Sequence, residues 1–377
     1  MKIMVVSSHT ESLVWFRFDM LKKFLAEGHT VVAVGNENLE KWKNEFERYG
    51  IKYDSIYVSR NSINPFNDFH TLCSIYKIIK LHKPDKIFFY QAKTVIYGNI
   101  ASRFCKIKDN YSLIAGLGSI FRDDNLKAKI IKFIMALEYK LALSFSKKVI
   151  FQNNDDLNEF VKLKIINREK TAIVNGSGVN LERFKPIENA NIVPTFLFIG
   201  RLIKDKGLME YLEACKMIKS EYPNSRCMLI GPFDSNPSAI KREDLNPYIE
   251  NGLIEYFGEQ KDVVPYLNQC NVFVLPSYHE GTPKSVLEAM ACGKAIITTN
   301  APGCRETVIN GKNGFLIPIK NSCSLAETMK MFCNTPQLAN KMGKISREIA
   351  EKKYDVNFVN SEILKIMDLG ERKNELV

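Results

Sequence analysis

Short apolar segments alternate with helical segments along the whole chain of 377 residues. Each of these segments is a continuous, mainly apolar run rather than an alternating one, which is typical of parallel strands buried on both faces of a sheet. Alternation with helices predicts right-handed βαβ units. We therefore expect an α/β fold with two Rossmann-like, doubly wound parallel-sheet domains. The predicted strands are residues 2–7, 30–35, 86–91, 111–116, 148–152 and 171–175 in the first half, and 195–200, 226–231, 253–258, 272–277, 294–299 and 314–319 in the second.

The chain is too long to fold around one ordinary hydrophobic core, and its length suits two domains. The stretch 181–194 has little periodicity and contains two prolines, so it is the best linker candidate. We expect an N-terminal domain over 1–185, a C-terminal domain over 186–353, and a last helix within 354–377 that packs back on the first domain. The loops after the strands of the two sheets should face each other across a cleft and hold the chemistry.

Composition places the chain among ordinary globular proteins, with 45% hydrophobic and 25% charged residues. No apolar run approaches the roughly 20 residues needed to cross a bilayer. The start turns polar after a few residues, as a first buried strand does and a signal peptide does not. The nine cysteines form no CxxC pair and show no metal-ligand spacing. A reduced, cytoplasmic location is therefore expected.

The net charge of +11 is concentrated in residues 51–150, which hold 17 basic and 7 acidic residues. This region includes 126–148, a predicted helix that mixes lysines with Ile, Phe, Met and Leu. A basic face beside apolar residues is typical of a helix resting on an anionic membrane surface. A solvated lysine face over an ordinary core helix is the alternative. No helix-turn-helix, zinc finger or aromatic RNA platform is present, so nucleic acid is not an expected partner.

Two glutamates, Glu280 and Glu288, lie eight positions apart across the start of a predicted helix. Thr282 has the chemistry of an N-cap and Pro283 that of a first helical residue, while Gly293 favours the helix end. Free N–H groups at a helix start favour an anion. Two carboxylates beside an anion site suit a ligand with both hydroxyls and phosphate, such as a nucleotide sugar.

The loop after the first strand of the second half offers two cations. Arg201 and Lys206 lie between Gly200, which permits a turn, and Gly207, which lets a helix begin close to the strand. An arginine and a lysine on one loop can neutralise a diphosphate. The alternative is a surface turn with solvated basic residues. Gly231, after the next strand, marks a second position where the backbone is expected to pass close to a neighbour.

These residues give the chain a resemblance to the retaining nucleotide-sugar glycosyltransferases of family 4, which have the two-domain GT-B fold. The resemblance spans nearly the whole chain and rests on the GRL-x3-KG loop, the E-x7-E pattern and the segment NGKNGFLI at 310–317. Within the family, the chain most resembles bacterial enzymes that build capsular, O-antigen or lipid-linked oligosaccharides. The segments 116–121 and 15–17 carry that narrower likeness.

The resemblance implies a role for each motif residue. Arg201 and Lys206 would bind the donor diphosphate, Glu288 would bind the ribose, and Glu280 would contact the donor sugar near the reacting carbon. The backbone around the helix start would cap the phosphates. The remaining donor-site residues implied are Gly200, Gly231, Gly281, Thr282, Pro283 and Ser285. No Asp-x-Asp motif occurs in the chain, so neither a metal nor another cofactor is expected.

The acceptor side departs from the family pattern. A Gly-rich loop often follows the first strand in relatives, whereas this chain has SSHTES at 7–12, and Ala115 stands where many relatives have a histidine. His9 and Lys93 are the acceptor-side candidates, with Lys93 placed to touch an acceptor phosphate. The alternatives are a turn residue for His9 and a helix-start surface lysine for Lys93. His279 adjoins Glu280, and a structural role is expected for it.

The resemblance implies a hexosyl- or N-acetylhexosaminyltransferase that uses a UDP-sugar and a polyprenyl-diphosphate-linked saccharide acceptor. Transfer would retain the anomeric configuration and would take place at the inner face of the plasma membrane, during synthesis of surface polysaccharides. The alternatives are a GT-B sugar-nucleotide epimerase and a non-catalytic nucleotide-sugar-binding or scaffold protein. The sugar, the base, the linkage and the oligomeric state are left open.

Overall fold

A computed structural model describes residues 1–59, 64–117, 126–187, 193–234 and 238–370. The chain divides into two compact units. The first unit comprises Met1–Ser177 together with Asn357–Val377, and the second comprises Gly178–Val356. Each unit is an α/β domain with its own parallel sheet.

In the described part of the first unit, seven strands and seven helices precede residue 177. The strands are β1 (Lys2–Ser7), β2 (Thr30–Gly35), β3 (Lys52–Ser55), β4 (Lys86–Tyr90), β5 (Asn110–Ile114), β6 (Lys148–Phe151) and β7 (Thr171–Ile173). The helices are α1 (Thr10–Ser12), α2 (Phe18–Ala26), α3 (Leu39–Glu47), α4 (Pro65–His82), α5 (Ala92–Phe104), α6 (Leu126–Ser144) and α7 (Asn154–Lys162). A π-helical segment, Leu13–Arg17, joins α1 to α2, and a 3₁₀ turn, Arg168–Lys170, precedes β7.

The sheet of the first unit has the order β3-β2-β1-β4-β5-β6-β7, and every pairing is parallel. Successive side chains of β1 enter different cores, because side chains alternate across a strand. Ile3 and Val5 belong to one apolar cluster, and Met4 and Val6 belong to another. Both faces of the sheet are therefore covered, as the continuous apolar segments predict.

The described residues of the second unit form six strands. They are β8 (Thr195–Ile199), β9 (Arg226–Ile230), β10 (Glu255–Tyr256), β11 (Val272–Leu275), β12 (Ala295–Thr299) and β13 (Gly314–Ile317). Its helices are α8 (Leu208–Glu221), α9 (Arg242–Glu250), α10 (Val264–Gln269), α11 (Lys284–Ala291), α12 (Ser322–Asn334) and α13 (Gln337–Lys353), with 3₁₀ turns at Lys204–Lys206 and Arg305–Thr307. The sheet is parallel in the order β10-β9-β8-β11-β12-β13 and sits in one apolar cluster.

The sequence predicted twelve strands, and all twelve are present. The strand β3 was missed because, of its four residues KYDS, only Tyr53 is buried, so it forms no apolar run.

The helix predicted over 126–148 is shorter than expected. It ends at Ser144, because β6 begins at Lys148 and the intervening residues form the connection.

The chain passes from the first unit to the second at residue 178, whereas the sequence pattern predicts a boundary at 185/186. Val179 already forms a parallel bridge with Asp355, and Phe184 packs into the core of the second unit. The predicted linker therefore starts inside this unit, and its residues 188–192 lie outside the described part of the chain.

The last helix, α14 (Val356–Ile366), supplies apolar side chains to the first unit. Val359 and Ile363 are buried in the same cluster as Ile3 and Val5. The Tyr111 hydroxyl also donates a hydrogen bond of 3.1 Å to the carbonyl of Met367. No helix in the described part of the chain combines the length and the apolar character that crossing a membrane requires.

Candidate active site

The donor-site candidates of the second unit gather at one edge of its sheet. Arg201 follows β8, Glu280 follows β11, and these two strands are neighbours. Since the carboxyl ends of parallel strands meet at the same edge, the loops after them converge there. Gly231 follows β9, which is the neighbour of β8 on its other side. The strand order thus brings loops from distant parts of the sequence to one place.

Lys206 and Glu280 form an ion pair at this edge. Lys206 ends the 3₁₀ turn Lys204–Lys206, and that turn is tied to the loop after β11. The backbone N–H of Tyr278 donates to the Asp205 carbonyl at 2.9 Å, and the Ser277 hydroxyl donates to the same carbonyl at 3.2 Å. The exposed fractions of the Lys206 and Glu280 side chains are only 20% and 12%. The pair is therefore largely screened from water and held by backbone contacts.

Two glycines permit the close approach of these loops. Gly207 has φ +72°, and a Cβ there would lie 2.0 Å from the Pro276 carbonyl oxygen. A Cβ on Gly231 would lie 1.8 Å from the carbonyl oxygen of Gly200. Any other residue would force the backbones apart. The prediction that Gly231 marks a close backbone approach is confirmed. Gly207 also allows a close approach at the start of α8, but to the backbone that follows β11 rather than to the preceding strand β8.

Arg201 is paired with a residue that sequence reasoning missed. Its guanidinium Nη1 lies 2.9 Å from an oxygen of Asp234, which follows β9. Arg201 is half-exposed, whereas Asp234 is mostly covered, with 17% of its side chain exposed. The signal in the sequence was the position of Asp234 just after a buried strand, three residues beyond Gly231. In this structure Arg201 and Lys206 each face a carboxylate of their own.

The helix predicted after Glu280 is α11, and its start differs from the prediction by one residue. Pro283 is the N-cap rather than the first helical residue, and Thr282 lies outside the helix. The reason is the ψ angle of Pro283, which at 110° is extended rather than helical. The Pro283 carbonyl accepts the N–H groups of Val286 and Leu287 at 3.0 and 3.2 Å. The helix ends at the predicted place, before Gly293 with φ +69°.

Glu288 lies in the middle of α11 and is half-buried. Its carboxylate has no hydrogen bond or ion pair with the described residues. Burial raises the pKa of Glu288, and the positive charges of Lys284 and Arg183 oppose that rise without cancelling it. A buried acceptor without a partner can accept hydrogen bonds from hydroxyl groups of a ligand.

In the first unit, a network organised by Gln91 joins the ends of β1 and β4. The Gln91 Oε1 accepts hydrogen bonds from the backbone N–H and the hydroxyl of Ser8, at 2.9 and 2.6 Å, and from the Ser7 hydroxyl at 3.0 Å. Gln91 has φ +75°, which a side chain rarely adopts, and it precedes α5. Strain of this kind persists only where the surroundings enforce it and is frequent at functional sites. Sequence reasoning did not single out Gln91.

His9 lies beside this network. Its Nε2 is 3.9 Å from a carboxylate oxygen of Glu11 and 4.0 Å from one of Glu37, and its ring packs edge-on against Trp15. Only 22% of the His9 side chain is exposed. The imidazole of His9 therefore lies between two carboxylates and an indole ring, beside the Gln91 network.

Lys93, the second acceptor-side candidate, forms an ion pair with Asp68. Its ammonium also lies 5.7 Å from the centre of the Tyr97 ring. With 17% of its side chain exposed, Lys93 is not a solvated surface lysine. Lys93 belongs to α5 and Asp68 to the first turn of α4, so the ion pair joins these two helices. An acceptor phosphate would have to compete with this carboxylate.

The structure describes the segment 15–17 in full and the segment 116–121 only in part. Arg17 is buried between the rings of Phe88 and Tyr90, and desolvation lowers its pKa to about 10. Residues 118–121 of the segment 116–121 lie outside the described part of the chain. Among the described residues, no group of three or more His, Cys, Asp or Glu side chains is arranged to hold a metal ion.

Two α/β domains, each with its own parallel sheet, are the architecture that GT-B glycosyltransferases have. Residues 181–349 match the family model of the group 1 glycosyl transferases, and residues 2–153 match that of the glycosyl transferase 4-like domain. The chain belongs to the family-4-like, group 1 glycosyltransferases and is a glycosyltransferase.

Similar proteins of known name support that membership. The chain is 31% identical to the N,N'-diacetylbacillosaminyl-diphospho-undecaprenol alpha-1,3-N-acetylgalactosaminyltransferase of Campylobacter jejuni, over 98% of both chains. It is 26% identical to the UDP-Gal:alpha-D-GlcNAc-diphosphoundecaprenol alpha-1,3-galactosyltransferase of Escherichia coli, over 69% of both chains. Identity to the capsular polysaccharide biosynthesis glycosyltransferase CapM of Staphylococcus aureus is 23%, over 96% of this chain and 94% of that one.

Solved structures agree on the fold. The Anabaena protein HepE in complex with UDP superposes with a TM-score of 0.78 at 17% identity, over 98% of this chain and 100% of that one. The sucrose-phosphate synthase of Thermosynechococcus elongatus gives a TM-score of 0.79 at 17% identity, over 97% and 98% of the two chains. At this identity the agreement concerns the architecture alone.

Proposed function

We propose that this glycosyltransferase moves a hexosyl or N-acetylhexosaminyl group from a UDP-sugar to a saccharide carried on polyprenyl diphosphate, with retention at the anomeric carbon. The observation that carries the proposal is the edge where Arg201, Lys206 and Glu280 meet in loops after neighbouring strands. Two cations with two carboxylates at such an edge suit a ligand that has both a diphosphate and sugar hydroxyls.

In the proposed reaction an acceptor hydroxyl attacks the anomeric carbon while the bond from that carbon to the donor diphosphate breaks. The proton of the hydroxyl passes to the leaving diphosphate, and the products are the glycoside and UDP. Negative charge grows on the diphosphate as the bond breaks, so Arg201 and Lys206 stabilise the transition state more than the bound donor. To do so, they exchange their present carboxylates for phosphate oxygens.

The two glutamates have separate tasks in this proposal. Glu288 accepts hydrogen bonds from the ribose hydroxyls, because its carboxylate lacks a partner among the described residues and is already partly removed from water. Glu280 contacts the donor sugar once Lys206 turns toward the diphosphate. The backbone from Gly281 to Ser285, with Thr282 and Pro283, lies at the start of α11 and caps the phosphates.

The names of relatives support the substrate classes. Two relatives act, by name, on sugars linked to undecaprenol diphosphate and form alpha-1,3 linkages, and one of these uses UDP-Gal. UDP-galactose carries its sugar in an α linkage, so an α product corresponds to retention. We propose that this chain uses the same classes of donor and acceptor and needs no metal or other cofactor.

The proposed place of reaction is the cytoplasmic face of the plasma membrane, where a lipid-linked acceptor is held at the bilayer surface. The excess of positive charge in residues 51–150 supports attraction to anionic lipids. His9 and Lys93 are retained as acceptor-side candidates. His9 lies close to Glu11 and Glu37, and Lys93 could reach a phosphate by leaving Asp68.

A turnover assay tests the proposal. Purified enzyme is incubated with a panel of UDP-hexoses and UDP-N-acetylhexosamines, first ranked by thermal shift because a bound donor stabilises the fold. UDP release that requires a polyprenyl-diphosphate saccharide is the expected result. Binding of a donor without any release in the presence of such acceptors would instead favour a binding or scaffold protein. Interconversion of the donor sugar without an acceptor would favour an epimerase.

A further inference from the structure

Helix α6 exposes a second apolar face in addition to the one it buries. Its buried side includes Tyr139 and Leu143, which belong to the core of the first unit. Six other large apolar side chains of α6 have exposed fractions between 51% and 76%; they are Leu126, Ile130, Phe133, Ile134, Leu137 and Leu141. At about 100° per residue, these six occupy an arc of roughly 100° along the helix. We call this set the α6 stripe.

A stripe of this size is unusual on a water-exposed surface. A surface helix ordinarily turns polar residues outward, opposite its buried face. Contiguous exposed apolar patches mark sites of interaction with a protein or a membrane. Because the α6 stripe runs from Leu126 to Leu141, it extends for about 23 Å along the helix. It is therefore long enough to make an extended contact in the plane of a bilayer.

Cations border one side of the α6 stripe, and the acidic residue at its other side is half-buried and hydrogen-bonded. The exposed residues Lys129 and Lys140 lie along one side of the stripe, by the same angular count. Glu138 is the one acidic residue of α6, and its carboxylate accepts a hydrogen bond of 3.1 Å from the buried Tyr97. The outward surface of α6 thus combines apolar side chains with positive charge.

A cavity of about 530 Å³ lies near the C-terminal end of α6. Its lining residues are Arg103, Lys106, Ile107, Lys108, Ser144 and Phe145. The Arg103 guanidinium lies 5.9 Å from the centre of the Phe145 ring. The three cations of this cavity have no carboxylate partner among the described residues, and no acidic residue lines it. Such a site suits an oxyanion.

We propose that α6 lies in the interface of an anionic phospholipid bilayer, with the α6 stripe among the acyl chains and the cavity occupied by the phosphate of a lipid headgroup. The stripe supplies the apolar contact and the lysines supply the attraction, which together define an interfacial helix. This inference deepens the membrane part of the proposed function. It is tested without donor or acceptor, so its failure is distinguishable from failure of the transfer reaction.

The lysines beside the α6 stripe argue against a second copy of the chain as the partner that covers it. In a two-fold dimer the same patch of both copies meets, so Lys129 and Lys140 of one copy would lie close to the like-charged pair of the other. No exposed carboxylate on α6 is available to balance them. An anionic lipid surface supplies the missing negative charge without such repulsion.

Vesicle binding provides the test of the α6 stripe. The full chain is sedimented with vesicles of phosphatidylcholine alone or mixed with phosphatidylglycerol, at low and high salt. We expect binding to the mixed vesicles that weakens with salt. Phe133→Ser combined with Ile134→Ser should reduce the partition coefficient at least about tenfold, because two large apolar side chains leave the membrane contact.

The matched control carries Ile309→Ser and Met331→Ser in the second unit, where the exposed fractions are 50% and 44%. This control should bind vesicles as the wild type does. Insertion is read separately from Phe133→Trp, whose fluorescence should be quenched by lipids brominated on their acyl chains, after subtraction of the signal of the wild type. Absence of quenching would overturn the placement of the α6 stripe among acyl chains.

A separate pair of variants tests whether the cavity binds a lipid headgroup. Lys108→Glu should weaken binding to phosphatidylglycerol vesicles at least about fivefold, whereas the control Lys216→Glu, an exposed lysine of the second unit, should not. Inorganic phosphate at millimolar concentration should compete only weakly, because it lacks the acyl chains.

Equal vesicle binding by wild type and the Phe133→Ser, Ile134→Ser variant would overturn the proposal. Conversion of a wild-type dimer to a monomer by that variant would also overturn it in favour of a second copy. Unchanged binding by Lys108→Glu, or release of the wild type by inorganic phosphate alone, would remove the headgroup site.

Discussion

Lys206 and Glu280 are 74 positions apart in the chain and form an ion pair at the carboxyl edge of the second sheet. The pair joins the loop after β8 to the loop after β11. It also places the carboxylate proposed to contact the donor sugar against a cation proposed to bind the diphosphate. We infer that the carboxylate holds the ammonium in position until a diphosphate takes its place.

Removal of either partner should destabilise the protein, because the remaining charge is mostly covered. We expect Glu280→Gln and Lys206→Met each to lower the free energy of unfolding by about 1.5–3 kcal/mol. The double variant should lose less than the sum of the two, which denaturant titration of all four proteins measures. Strictly additive losses would mean that the pair contributes no coupling.

Arg201→Lys should lower kcat/KM by roughly a hundredfold while leaving stability nearly unchanged. The loss in rate is expected because lysine lacks the planar guanidinium that binds two phosphate oxygens at once. Stability should change little, because lysine keeps the positive charge opposite Asp234 and the side chain of Arg201 is half-exposed. Initial rates with saturating acceptor and a urea titration measure the two effects.

Arg226→Lys is the matched control for that change. Arg226 begins β9 at the opposite edge of the same sheet and binds Glu255 through Nε and Nη2, at 2.8 and 2.6 Å. The Arg226→Lys variant should have the same kcat/KM as the wild type. A similar loss of rate in both variants would show that the effect of Arg201→Lys is not local to the proposed donor site.

Glu288→Gln should stabilise the protein while weakening donor binding. Burial raises the pKa of Glu288 in the folded state above its ordinary value of 4.5, so the folded protein holds the extra proton over a range above pH 4.5. Stability is therefore lost as pH rises through that range, and the penalty persists at pH 7. The amide has no charge to bury, so the variant should have the higher melting temperature at pH 7.

The advantage of Glu288→Gln should vanish below pH 4.5, where the carboxyl is neutral in both states. UDP should raise the melting temperature of the wild type more than that of the variant. Glu243→Gln, at an exposed position of α9, should match the wild type in both measurements. A melting temperature of Glu288→Gln below that of the wild type at pH 7 would contradict the assignment.

Activity should survive removal of divalent cations. Arg201, Lys206 and the start of α11 are proposed to neutralise the leaving diphosphate, so the reaction needs no metal. UDP release is compared with and without a chelator, after exhaustive dialysis of the enzyme. Loss of turnover that returns on addition of Mg²⁺ would show that the cations of the chain are insufficient.

The fold could be predicted for those strands whose burial requires a run of apolar residues in the sequence. Strands covered on both faces are rich in apolar residues, and such runs predicted twelve of the thirteen strands in the described part of the chain. The exception, β3, is short, and only Tyr53 in it is buried. The start of α11 was displaced by one residue because it depends on the ψ angle of Pro283, which residue identity does not determine.

The sequence motifs of the candidate site could be predicted, but the contacts between side chains from different strands could not. Asp234 meets Arg201 because β8 and β9 are adjacent, and sequence spacing does not contain the order of strands in a sheet. Gln91 joins two strand ends for the same reason. The sequence of α6 likewise shows lysines and apolar residues together, but only the structure separates its buried face from the exposed stripe.

The most direct test of the central claim is the anomeric configuration of the product formed from an α-linked UDP-sugar and a polyprenyl-diphosphate saccharide. The proton coupling constant at the new anomeric centre, measured by NMR, distinguishes the α from the β linkage. We predict an α-linked product, formed in amounts equal to the UDP released. A β-linked product would contradict retention, and UDP release without a new glycoside would contradict transfer to this class of acceptor.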